Sequence, residues 1–137
     1  MAEALNVIMR CLHIGSVVAL IGGMFYACFI MRPGLNVLPP ESRDAAAEKS
    51  AARFRPLVYA AIAALLLSGA FNIITNSGHT AYYHALLGLK LLLVAHIFAV
   101  AILVVRPKAP RRARLMGGAA ISGLVVILIS AYLRRIF

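Results

Sequence analysis

Charged residues divide the chain into four long apolar runs. Between Arg10 and Arg32 no residue is charged over 21 positions, enough for a helix to cross a hydrocarbon core of about 30 Å at about 1.5 Å per residue. A second run follows Pro56, whose missing N–H suits a first helical turn, and a third carries Lys90 inside it. A fourth covers the 19 uncharged residues between Arg114 and Arg134. The pattern predicts an all-α integral membrane protein, a four-helix up-down bundle in one domain with spans at about 5–31, 56–76, 82–105 and 115–133. The first run is longer than a signal-peptide core, and no small-x-small cleavage pattern precedes Arg32 and Pro33, so it is expected to stay.

Composition agrees. The 137 residues are 63% hydrophobic and 13% charged, with a mean hydropathy of +0.92, whereas a soluble domain keeps about a quarter of its residues charged. The net charge of +10 would suggest nucleic acid in a soluble chain; here the cations punctuate apolar runs, and nucleic acid is not an expected partner. Five lie in the loop 32–55 and five between Arg106 and Arg114, while the loop 76–81 has none. The positive-inside rule then puts the two basic loops in the cytoplasm and both termini on the outer, periplasmic side. In the loop 32–55, Ser42 to Phe54 reads as a short helix leading into the second span, a solvated connector. His79 falls in the loop 76–81 and reads as solvated.

Several chemistries are excluded. Glu3, Glu41, Asp44 and Glu48 are the only acids and all lie outside the spans, so no intramembrane carboxylate can serve a proton relay or a hard-cation site. P-loop, nucleophile-elbow and Cys-x-x-Cys-His motifs are absent. Cys11 and Cys28 are roughly 25 Å apart along one helix and cannot bridge within the chain.

The ionisable groups inside the runs are His13, Lys90 and His96, with His84 near the outer edge. With Arg32 and Arg106 aligned at one level, His13 lies level with Leu87, His84 about 4.5 Å shallower and His96 about 13 Å deeper. The same alignment brings Arg10, Asn72, Tyr132, Arg134 and Arg135 into the layer of His13. Two imidazoles on diagonal helices, with cations above them, suit a non-covalent haem b. His13 is the first axial ligand expected and His96 or His84 the second, with Arg10 and Lys90 as electrostatic support. Gly22-Gly23 and Gly117-Gly118 read as helix-contact positions. A different chemistry is carried by Met9, His13, Met24 and Met31, which fall within about 60° on the first helix, with Cys28 some 40° further round. Thioether, thiol and imidazole at successive depths suit Cu(I), with His13, Met24, Cys28 and Met31 as its ligands.

Leu12-His13 and then Gly23-Met24-Phe25-Tyr26 resemble the first span of HemJ-type membrane protoporphyrinogen oxidases. Ser68-Gly69-Ala70, Tyr82-Tyr83-His84 and Leu89-Lys90-Leu91 resemble the copper resistance protein D (CopD) family, which carries a similarly placed lysine. The likeness spans roughly Leu5 to Leu133. The chain has no tryptophan, usual in the first HemJ-type span, and Ala27-Cys28-Phe29 follows Tyr26 where that family has Leu-Pro-Arg. The HemJ resemblance implies haem b and oxidation of protoporphyrinogen IX, with His13 an axial ligand and Lys90 near the site; the CopD resemblance implies copper handling between periplasm and cytoplasm. The expected function is a membrane-embedded haem b protein with a redox role in a bacterial inner membrane, whose partners are the lipid bilayer and a quinone or redox partner protein, with a homo-oligomer open. The alternative is CopD-like copper binding or transport; a third reading is a structural subunit of a larger membrane complex.

Overall fold

A computed structural model describes residues 2–75, 80–109 and 111–136; His79 and the expected end of the second span at Asn76 lie outside them. The described residues form helices joined by turns, with no strand. They are α1 (Ala2–Tyr26), a π-helical segment (Ala27–Met31), α2 (Arg32–Leu35), α3 (Pro40–Thr75), α4 (Ala81–Val105) and α5 (Arg112–Ile136). Four of these stretches are long and apolar enough to cross a membrane, and the chain is a multi-pass integral membrane protein.

The π-helical segment has a local cause. Pro33 has no N–H to offer the carbonyl of Phe29, and its ring would collide with that carbonyl in an α-helix. Arg32 N–H bonds instead to Ala27 O, five residues back, so the helix widens by one residue just ahead of the proline. Pro56 behaves differently from expectation. It does not open a helix but sits inside α3, which starts at Pro40. The Ala-rich, helix-favouring sequence between them carries the helix through. At 36 residues α3 is about 54 Å long, well beyond a hydrocarbon core of about 30 Å. Its charged first part, residues 40–55, therefore extends outside the bilayer.

Around the bundle the order is α1, α3, α4, α5, each packed on the next and α5 closing on α1. Thus α1 and α4 are diagonal, as are α3 and α5. Small side chains are interleaved with larger ones in the core: Ala27, Ala61, Ala101, Ala119, Ala120, Ser16 and Ser68 are all buried, which lets backbones approach where hydrocarbon outside gives no hydrophobic drive to association. The glycines expected at these contacts are mostly elsewhere. A Cβ on Gly22, Gly117 or Gly118 would meet nothing within 4 Å, whereas Gly23 lies against the Phe54 ring and Gly123 against Ile21, whose Cδ1 would be 3.1 Å from an added Cβ. Gly123→Leu is expected to force α1 and α5 apart and lower the unfolding free energy by about 1–3 kcal/mol. Gly118→Leu, facing open space, should leave it within about 0.5 kcal/mol; equal losses in SDS unfolding titrations would contradict this placement.

At the loop end of α4, the carbonyls of Leu103, Val104, Val105 and Arg106 all find donors. Arg106 N–H bonds to Leu103 O. Arg112 Nε donates to Val104 O at 2.8 Å and its Nη2 to Arg106 O at 2.9 Å, while Arg55 Nε from α3 donates to Val105 O at 2.9 Å. The Glu48 carboxylate accepts from Arg112 Nη2 at 3.0 Å and from Lys108 N–H at 3.2 Å. These bonds hold the α4–α5 turn, in which Lys108 and Arg111 take left-handed φ values of 51° and 53°.

Candidate functional site

A buried layer of Met24, Val58, Ala61, Val100, Ala101 and Ala119 crosses the middle of the bundle. Toward the end that carries both termini lies a cavity of about 910 Å³ walled by all four long helices. Toward the loop end lies another of about 890 Å³ between α1, the start of α3 and the facing ends of α4 and α5.

His13 lines the terminal-end cavity. Its Nδ1 is 2.8 Å from Ser68 Oγ on the neighbouring α3. Ser68 is completely buried and its hydroxyl is 2.7 Å from Ala64 O and 3.3 Å from Leu65 O. A hydroxyl has one proton, and in a helix it goes to the carbonyl one turn back. With its proton committed there, Ser68 Oγ accepts from His13, which assigns the imidazole proton to Nδ1 and leaves the lone pair on Nε2. Such an arrangement, one ring nitrogen anchored and the other unprotonated, is what fixes histidines that bind metals. The Ser68 partner was not foreseen: 55 positions separate it from His13, and a serine in an apolar helix is usually satisfied by its own backbone.

The same cavity is lined by Arg10 of α1, Lys90 of α4 and Arg134 of α5, and by no acidic residue. Asn72, Tyr83 and Ser130 supply its neutral polar groups. Lys90 is half-buried, while Arg10 and Arg134 are exposed at the terminal end. His84 and His96 do not line the cavity; both are exposed on the perimeter of α4. The lining therefore contains one imidazole, and two axial histidines do not meet in it. Arg135 and Tyr132 are exposed as well.

A second group lies at and below the buried layer. Met24 is 1% exposed and belongs to the central core. Cys28 and Met31 follow it by four and seven residues, half-buried against the same core on the π-helical segment. Met116 of α5 is buried in that core and lines the loop-end cavity with Met31. Four sulfur residues from two helices thus belong to, or pack against, one apolar core, and Met31 and Met116 line one cavity. Met116 escaped the sequence reading, although the depth alignment used for the histidines puts it near Ile30. Cys11 is exposed and apart from this group. Among the described residues no three His, Cys, Asp or Glu side chains converge, so any soft-metal site is built chiefly of thioethers. His13 and Met24 are about 16 Å apart along α1, two stations and not one.

Residues 1–82 match the family described as copper resistance protein D-like, N-terminal domain. No curated protein and no solved structure matches the chain.

Proposed function

The chain belongs to the family of copper resistance protein D-like N-terminal domains, and from that premise we propose that it handles copper in the membrane, with Cu(I) as cargo. What supports the reading is the set of sulfur residues Met24, Cys28, Met31 and Met116, all in or packed against the bundle core and together termed the sulfur cluster. Thioether and thiolate donors select Cu(I) over hard cations, and an apolar, half-closed setting keeps water from competing for the ion. His13 with Met9, one helical turn away on the same side of α1, forms a second soft pair nearer the termini. A file of such stations, each with few ligands, binds an ion without trapping it.

The experiment is a Cu(I) titration of the purified protein against a chromophoric chelator under reducing conditions. One Cu(I) per chain is expected at the sulfur cluster. Cys28→Ser, which removes a direct thiolate donor, should weaken it by more than the roughly tenfold that losing even an outer-shell partner costs, while Cys11→Ser leaves it unchanged. Absence of Cu(I) binding, or equal effects of the two substitutions, overturns the proposal. Spectra of the same preparation, oxidised and dithionite-reduced, test the haem b reading with a redox role, electron transfer or protoporphyrinogen IX oxidation. A Soret band lost in His13→Ala would put haem in place of copper. A protein that binds neither and purifies only with other subunits would indicate the structural role.

A further inference from the structure

The copper reading uses none of the three cations of the terminal-end cavity, and they repel a bare metal ion. Arg10, Lys90 and Arg134 come from three different helices and share one space with no carboxylate. Lys90 lies nine residues into α4, about 14 Å from its start and so inside the apolar run. It makes no hydrogen bond among the described residues. A cation at that depth is costly without a compensating anion, and the described lining of the cavity provides none. The remaining wall is apolar. Leu66 and Ile73 of α3 and Leu91 of α4 line the cavity while staying 60%, 48% and 47% exposed. Side chains can do both only where the cavity opens sideways, here between α3 and α4; Ile14 and Val18 of α1 and Ile127 of α5, which line it at 53%, 65% and 42% exposure, mark a second opening between α1 and α5. Gly69 sits in the first opening with nothing within 4 Å of an added Cβ.

We propose that this cavity binds an anionic amphiphile, its carboxylate or phosphate head held by Arg10, Lys90 and Arg134 and its hydrocarbon tail leaving sideways between helices into the bilayer. The anion supplies the countercharge that the described lining lacks, and a side opening gives a tail its path into the bilayer. Such a molecule is either a lipid of the surrounding membrane or a free long-chain acid that enters from the terminal end.

Native mass spectrometry of the delipidated full chain with equimolar phosphatidylglycerol and phosphatidylcholine tests the first source. Fluorescence titration with dansylundecanoic acid against its methyl ester tests the second. Preference for the anion of each pair is expected to fall roughly fivefold for each cation neutralised, in Lys90→Met, in Arg134→Gln, and further in the double variant. Lys90→Arg keeps it. Preference for phosphatidylglycerol identifies the bilayer lipid; a preference seen only with the free acid identifies the soluble amphiphile. Equal retention of charged and neutral partners in both assays overturns the proposal, as does a preference that survives the double variant. If Lys90→Met does not run as a single species in gel filtration, Arg134→Gln and Lys90→Arg decide the matter. Cu(I) binding at the sulfur cluster is read separately, and neither result determines the other.

Discussion

Replacing Arg112 by Met should lower the unfolding free energy in mixed dodecyl maltoside and SDS micelles by about 2–4 kcal/mol, the sum expected for two charge-assisted bonds to carbonyls left without donors. The guanidinium serves Val104 O and Arg106 O, two of the last acceptors of α4 beyond which no further turn exists to satisfy them. Its side chain is only 17% exposed, so water replaces it poorly. The ion pair with Glu48 is a lesser matter. The carboxylate is 39% exposed, and such pairs are largely offset by solvent screening and side-chain entropy. Glu48→Gln leaves both carbonyl bonds in place and is expected to cost much less than Arg112→Met. Equal losses from the two substitutions, or an Arg112→Met change within about 0.5 kcal/mol, would show that the helix end does not depend on this side chain.

Ser68→Ala should weaken Cu(I) at the His13 station by about 10- to 100-fold, the usual cost of removing the group that orients a metal-binding imidazole. Without the hydroxyl, Nδ1 loses its 2.8 Å partner, and the ring can rotate or carry its proton on Nε2, where it blocks the metal. The measurement is made in a Cys28→Ser, Met31→Leu background, so that the sulfur cluster does not mask the weaker station. His13→Ala should remove binding there entirely. Lys90→Met should act in the opposite direction and strengthen Cu(I) at His13, because it removes a like charge from the same cavity. Affinity unchanged by Ser68→Ala would mean that the hydrogen bond orders the ring without serving a metal.

Much of the layer around His13 was legible from depth alone. A helix advances a nearly constant distance per residue, so aligning the basic ends of the spans placed Arg10, His13, Asn72 and Arg134 together, and all four line one cavity. Depth carries no information about rotation. His84 lies within a turn of the expected level, yet it is exposed on the perimeter of α4, as His96 is. The third span is apolar on every side, and no polar stripe marks its inward face. The same gap concealed the role of Ser68 and the contacts of Gly123 and Ala119, which depend on which side of each helix meets its neighbour.

By itself the sequence determined the solvent and the topology. Uncharged runs of membrane-spanning length can satisfy their backbone in lipid only as helices, and short connections make consecutive helices antiparallel neighbours. It also set the net charge of +10 and the depth at which each ionisable group sits. Only the tertiary structure decided how those groups face one another. It turned Arg55 and Arg112 from loop cations into the caps of α4. It joined Met116 to the sulfur residues of α1 and left Arg10, Lys90 and Arg134 around a cavity without a counterion. The reason is that helix packing in a membrane is chosen by shape among small side chains, and that fit is a property of pairs of faces, which no single run of residues contains.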